Sequence, residues 1–244
     1  MSIPKVIHYC WFGGGELPPL AEKCIKSWKK FCPDYEIIRW DETNFDISAN
    51  RYAKEAYDAK KWAFVSDYVR LFVMYKYGGI YLDTDVELIK PLDELIAENG
   101  YMGYEQSGKV STGLGFACEK GNELVLALLR DYDDIPFLLP DGTYDITPCP
   151  DRNTETMKSL GLDVGVRNNV FGGIRFLAEE FLCPINYYSG KKKITKNTYS
   201  IHHYSASWTS ATTKRTMFVK RLVGPKMYDK LYGKFLYKFK WLEW

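Results

Sequence analysis

The chain has 244 residues, 46% apolar and 26% charged, with a net charge of +2. That composition excludes a disordered chain, and so small a net charge excludes a strong overall pull on polyanions such as nucleic acid. No apolar run reaches the roughly 18 residues a membrane-spanning helix needs, so the reading is one large α/β domain with, at most, a small appendage.

Val6 to Trp11 reads as a first strand, closed by Phe12 and the flexible loop Gly13-Gly14-Gly15. Glycines directly after a first strand let backbone approach a ligand, although the frame is not that of a dinucleotide-binding G-x-G-x-x-G. At the strand's carboxyl end, Trp11 is placed either to stack on a nucleobase or to fill the core. Pro18 to Phe31 carries Leu20, Cys24, Ile25 and Trp28 at helical spacing, and Pro33-Asp34 ends it. Tyr35 to Trp40 is a second strand. Strand, helix, strand in this order points to a parallel α/β beginning.

Tyr52 to Tyr77 is mostly helical, with Phe64, Tyr68, Leu71, Phe72 and Tyr75 on its apolar side. Asp67 and Arg70 lie three apart, on one face, either as a surface ion pair or as part of a site. The helix runs into Gly78-Gly79-Ile80-Tyr81-Leu82-Asp83-Thr84-Asp85. Side chains two apart on an extended backbone share a face, so Asp83 and Asp85 are expected to point together at a strand's carboxyl end, where open α/β sheets bind ligands. Two carboxylates so placed repel one another unless a cation lies between them, and oxygen ligands suit Mg²⁺ or Mn²⁺.

Further on, Tyr101 to Tyr104 and Val110 to Cys118 read as strands, and Asn122 to Arg130 as a helix. Asp131 to Asn153 is acidic, proline-bearing and irregular, either an acceptor-side loop or a surface excursion. Thr154 to Leu160 is a short helix. Near the far end, His202 and His203 are adjacent. On a strand their side chains oppose each other, so only one can face a given site, and imidazole is a competent ligand for Mn²⁺-type ions.

From Lys214 onward nine residues are basic and two acidic, interleaved with Phe, Leu, Tyr, Met and Trp. This stretch is either a helix packed on the domain or a seat on an anionic membrane surface. Cys10, Cys24, Cys32, Cys118, Cys149 and Cys183 form no C-x-x-C pair and are expected to be reduced, buried thiols. The start, Met-Ser-Ile-Pro-Lys, has no basic-then-apolar leader pattern. The expected location is cytoplasmic, with a peripheral seat on the inner face of the membrane if the basic tail docks there.

Taken together, Ile3 to Gly14, Ser66-Asp67-Tyr68-Val69-Arg70, Gly78 to Asp85, and His202-His203 followed by Ser207-Trp208 resemble the family 32 glycosyltransferases, the sugar transferases with an Asp-X-Asp motif. That group includes bacterial capsular and polysaccharide enzymes and is similar to the clostridial glucosylating toxins. The resemblance runs from residue 3 to about residue 208. It implies a GT-A fold over 1–208, a Rossmann-like domain with a mixed, mostly parallel sheet, followed by a helical tail over 209–244. It implies a nucleotide-sugar donor, UDP-sugar favoured, and a bound Mn²⁺ or Mg²⁺. By residue, it implies that Trp11 stacks on the base beside the backbone of Phe12, and that Asp67 and Arg70 contact donor sugar and phosphate. Asp83 would touch ribose and sugar, and Asp85 would be the direct metal ligand. Ser207 and Trp208 would close over the diphosphate, with His202, or else His203, adding a metal ligand. Where the family usually has Gly-Pro, this chain reads Thr147-Pro148-Cys149-Pro150.

The expected activity is transfer of a hexose to a hydroxyl of a saccharide or lipid-linked acceptor, with retention of anomeric configuration, in polysaccharide or glycolipid synthesis. A nucleotide-sugar hydrolase and a non-catalytic sugar-binding protein are the rival readings.

Overall fold

A computed structural model describes residues 2–186 and 189–205. Ser207, Trp208 and the basic stretch 209–244 lie outside the described residues, as does the domain division drawn at 208. Among the described residues the strands are β1 Val6–Cys10, β2 Glu36–Trp40, β3 Gly79–Tyr81, β4 Val86–Leu88, β5 Gly100–Tyr104, β6 Val110–Ser111, β7 Phe116–Cys118, β8 Asn169–Phe171, β9 Ile174–Leu177 and β10 Ser200–His202. The helices are α1 Pro19–Phe31, α2 Arg51–Asp58, α3 Trp62–Tyr77, α4 Asp93–Ile96, α5 Glu123–Arg130, α6 Cys149–Ser159 and α7 Glu179–Leu182.

Eight strands form one sheet in the order β2-β1-β3-β7-β5-β9-β8, with β6 paired to β5. β1, β2, β3, β5 and β9 run one way; β6, β7 and β8 run the other. The sheet is therefore mixed and mostly parallel, as expected of the fold. β4 and β10 pair separately as a two-stranded antiparallel ladder.

The strand period of two sorts side chains onto the two faces. Ile7, Ile80, Leu82, Tyr101 and Ala117 join a core with Cys24 and Trp28 of α1. Cys10, Tyr81, Met102, Tyr104 and Phe116 face the opposite core, built with α2, α3, α5 and α6. Each face is covered by helices, so the central strands are buried on both sides. All six cysteines are buried and unpaired.

The stretch 52–77 is mostly helical, as expected, in two helices that break after Asp58, where Lys60 takes a left-handed φ of 56° and Lys61 N donates to Ala56 O. One expectation needs correction. The irregular segment expected through Asn153 ends earlier, because α6 begins at Cys149 with Pro148 as its cap and Pro150 in its first turn. Proline costs nothing there, since the first N–H groups of a helix have no internal partner.

The Gly78-Gly79 pair makes the turn from α3 into β3. Both have positive φ, 70° and 105°. A Cβ on Gly78 would meet Lys120 N at 2.6 Å, and one on Gly79 would meet Val6 O at 2.8 Å. Only glycine fits this junction, which delivers Asp83 directly to the sheet edge.

His8 sits under this turn, 2% exposed. Its Nε2 lies 3.0 Å from Gly78 O, and its Nδ1 accepts from Trp40 Nε1 at 3.1 Å. Nε2 therefore carries the proton, and Nδ1 has no room for a second one. Burial holds the imidazole neutral, pushing its pKa down to about 4. In the unfolded chain the value is about 6.5. The unfolded state thus binds more protons between these values, and stability falls as pH drops from about 6.5 to 4, by about 3 kcal/mol in total. His8→Gln keeps a donor and an acceptor but does not titrate. Denaturant unfolding across that pH range is expected to slope less steeply in the variant; equal slopes would refute this role.

Candidate active site

β1 and β3 are parallel neighbours, with His8 opposite Tyr81, so Trp11 and Asp83 leave the sheet at the same edge. The acidic pair lies in the turn between β3 and β4 rather than on extended strand, and Val86 N donates to Asp83 O to close that turn. The two carboxylates still converge. Ligand atoms of Asp83, Asp85 and His202 all lie within 4.8 Å of one another.

His202 reaches this point because β10 pairs with β4, setting His202 opposite Val86. Its Nε2 is 3.2 Å from Asp85 Oδ1. Tyr204 packs edge-on against its ring, at 4.3 Å between centroids. Just beyond, Ser205 N donates to Asp85 Oδ2 at 2.8 Å. His203, offered as a metal ligand, is not in this group. Its Nε2 sits 2.8 Å from Glu87 Oε2, which also receives Lys23 Nζ at 2.8 Å. The alternation of neighbouring side chains separates the two imidazoles, each against its own carboxylate. Accordingly, His202→Ala is expected to weaken Mn²⁺-dependent donor binding about tenfold or more, while His203→Ala stays within about twofold of wild type. Calorimetric titration of both variants checks this, and equal losses would refute the assignment.

The two aspartates differ electrostatically. Burial alone would raise the Asp85 carboxyl, but the His202 ring and the Ser205 amide outweigh it and hold that carboxyl well below the usual carboxylate range. Burial likewise disfavours a charged His202, but Asp85 wins and raises its pKa. Asp83 is raised, chiefly by burial against the pull of Arg70, with the like charge of Asp85 adding to the rise. Two carboxylates and an imidazole form a donor set suited to a Mn²⁺- or Mg²⁺-type cation. His202 Nδ1 fits this, being buried with no hydrogen-bond partner among the described residues.

Behind the acidic pair, Arg70 is 4% exposed. Its Nη2 bridges Asp67 Oδ1 at 3.0 Å and Asp83 Oδ1 at 3.2 Å. Its guanidinium lies over the Tyr81 ring, 5.1 Å from the centroid, and Tyr81 OH donates to Asp83 Oδ1 at 2.9 Å. Burial pushes the Asp67 carboxyl up to about 6 despite Arg70. The structure thus brings Asp67 and Arg70 together with Asp83, and the pair is buried rather than on the surface.

In the loop after β1, Trp11 is half-buried and its Nε1 donates to Gly15 O at 2.6 Å. Gly13 N donates to Glu42 Oε1 at 2.6 Å. The Phe12 side chain is buried in the core, so only its backbone is available to a ligand.

Sequence reasoning missed four neighbours of Arg70 and Asp83: Tyr81, Thr112, Gly113 and Cys149. A Cβ on Gly113 would lie 2.8 Å from Asp83 Oδ2 and 3.5 Å from Arg70 Nη1, so this glycine leaves open the space beside both groups. Only Tyr81 carried a local signal, its place inside the acidic motif.

Residues 18–102 match the family described as glycosyltransferase sugar-binding region containing DXD motif. The chain is 34% identical over 145 residues to inositol phosphoceramide mannosyltransferase 3 of Schizosaccharomyces pombe, covering 56% of this chain and 39% of that protein. It is 39% identical over 70 residues to human (Homo sapiens) lactosylceramide 4-alpha-galactosyltransferase, covering 29% of this chain and 19% of that protein. The chain thus spans about two fifths of the mannosyltransferase and less of the galactosyltransferase. A solved glycosyltransferase involved in glycosylation of the major capsid of PBCV-1 superposes with a TM-score of 0.47 at 13% identity, covering 88% of this chain and 100% of that one.

Proposed function

Because residues 18–102 carry the sugar-binding region of the DXD glycosyltransferases, we propose that the protein moves a hexose from a nucleoside diphosphate to a hydroxyl of a glycolipid-type acceptor. The observation that carries this reading is the convergence of Asp83, Asp85 and His202 within 4.8 Å, at the sheet edge shared by Trp11 and beside the buried Arg70. The relatives' names, an inositol phosphoceramide mannosyltransferase and a lactosylceramide galactosyltransferase, support a ceramide-based acceptor over a capsular polysaccharide. A UDP-sugar donor and retention of configuration rest on the family resemblance.

In this reading Asp83, Asp85 and His202 hold a divalent cation, Mn²⁺ or Mg²⁺. When bound, the cation supplies a Lewis acid that neutralises charge growing on the leaving diphosphate. The chain's own groups do the rest. Arg70 is a fixed positive charge at the same place, pre-oriented by two carboxylates and needing no reorganisation during reaction. Trp11 offers an aromatic face to the base, anchored by its bond to Gly15. Gly113 leaves room for the sugar next to Asp83 and Arg70. The C1–O bond to the diphosphate breaks with its electron pair leaving on the diphosphate, a bond from C1 to the acceptor oxygen forms, and the hydroxyl proton passes to the released diphosphate.

The test is product analysis with UDP- and GDP-hexoses, Mn²⁺ or a chelator, and inositol-phosphoceramide, lactosylceramide or polysaccharide acceptors. Metal-dependent transfer to a ceramide acceptor is the expected result. Nucleotide release at the same rate without acceptor would make the protein a hydrolase. No metal-dependent donor binding at all would leave a non-catalytic protein.

A further inference from the structure

We propose that Cys149 is a positioning residue of the donor-sugar pocket, its thiol set against Arg70 Nη1 so as to fix the guanidinium between Asp67 and Asp83. This rests on the glycosyltransferase reading above and adds to it a residue distant from the acidic motif.

Cys149 opens α6 and meets α3 only through the fold. Its Sγ accepts from Arg70 Nη1 at 3.5 Å. The sulfur is thus a neutral acceptor on the guanidinium of a buried ion pair, on the side away from the two carboxylates that hold Nη2. Burial pushes the thiol's pKa far up, which keeps it protonated and uncharged. A thiolate would instead set a third negative charge beside Asp67 and Asp83.

The thiol is held in place from behind. Thr112 Oγ1 lies 3.8 Å from Sγ. Asn153, 1% exposed, lies 3.1 Å from Thr112 Oγ1, and the amide orientation that satisfies both its groups accepts from that hydroxyl and donates to Cys149 O at 3.2 Å. Thr154 Oγ1 receives Val110 N at 2.9 Å. The first turn of α6 is thereby pegged to residues 110–112, and the sulfur cannot drift from the pair.

Arg70 depends on this peg. Its Nε is buried without a partner among the described residues, so its anchoring passes through the two Nη atoms. Nη2 serves Asp67 and Asp83, while Nη1 has Thr112 at 3.5 Å and the Cys149 sulfur. Without the thiol, Nη1 keeps one long bond, and the guanidinium is free to tilt toward the space that Gly113 leaves open. That space borders both Asp83 and Arg70. Nη2 keeps its two carboxylates, so the positive charge stays near the diphosphate while the shape of the sugar's space changes, and the sugar suffers more than the nucleotide.

The experiment compares Cys149→Ala and Cys149→Ser by initial rates with donor varied, by calorimetry with Mn²⁺ and either the nucleoside diphosphate or its hexose conjugate, and by thermal unfolding. The alanine variant is expected to raise the donor KM about tenfold and to leave nucleoside diphosphate affinity within about twofold. Serine, which can accept and donate from the same place, is expected to restore the KM to within about threefold. If alanine does not fold, Cys149→Val, of similar volume and without a polar hydrogen, replaces it with the same expected KM. An unchanged KM in the alanine or valine variant overturns the proposal. So does equal loss of affinity for diphosphate and conjugate with no rescue by serine, which would mark Cys149 as packing alone. A wild-type protein that binds neither compound with Mn²⁺ removes the glycosyltransferase reading itself, and the positioning role with it; that outcome is distinct from either failure of the variants.

Discussion

Asp85→Asn is expected to abolish metal-dependent donor binding and to lower transfer about a thousandfold or more, with little change in thermal stability. Asp85 is the site's firmly ionised carboxylate, held so by His202 at 3.2 Å and by the Ser205 amide at 2.8 Å. The amide side chain keeps an acceptor for Ser205 N and nearly the same shape. What it loses is the charge, and because His202 can then shed its proton, no unpaired charge is left buried and the cost to folding stays small. Function and stability should therefore separate in this variant. Asp83→Asn is a less clean probe, because Asp83 also accepts from Tyr81 OH and faces Arg70. The measurements are Mn²⁺ titration in the presence of donor and thermal unfolding in its absence. Retention of Mn²⁺-dependent binding by Asp85→Asn would remove the metal role.

Arg70→Met is expected to fail on both counts, and for two separable reasons. The guanidinium lies between Asp67 at 3.0 Å and Asp83 at 3.2 Å, with Arg70 and Asp67 buried and Asp83 half-buried. Removing it leaves two carboxylates facing each other without compensation, which costs about 3–5 kcal/mol of stability. It also removes the fixed positive charge from the donor pocket, a further loss in transfer of about a hundredfold or more. The double variant Arg70→Met/Asp67→Asn tells the two apart. With one carboxylate neutralised, stability is expected to recover in part, because the residues touch and their effects do not add. Transfer is expected to stay lost. Urea unfolding and initial rates on the two single variants and the double complete the cycle. Recovery of transfer together with stability would mean that Arg70 matters only as a buried counter-ion.

The parts of the site legible in the sequence are those whose geometry is local. The Gly78-Gly79 junction, the Asp83–Asp85 pair and the three-residue spacing of Asp67 and Arg70 follow from short-range rules of helix, turn and strand. The choice between His202 and His203 was reduced to one of two by alternation. It could not be settled further, since the register of β10 against β4 is set by a pairing more than a hundred residues apart in the chain. Cys149, Thr112 and Gly113 were invisible for a related reason. Each lies on a separate piece of backbone and acquires meaning only when α6 and residues 110–114 close over α3. The strands were found to within a residue or two where apolar residues ran continuously. Val110 to Cys118 was read as one strand, yet a tight turn at Thr112–Leu114 interrupts it, and that turn is what brings Gly113 to Asp83.

The separate β4–β10 ladder has a consequence for how much of the chain an active unit must include. The matched segment, residues 18–102, contains Asp83 and Asp85 but ends about a hundred residues short of the His202 imidazole and of the Ser205 amide that keeps Asp85 ionised. Under the proposed function, an excised piece of that length would carry the matched region without the whole cation site. Sequence relatedness and the proposed chemistry would then have different boundaries, the second drawn by a strand that returns late in the chain to pair with β4.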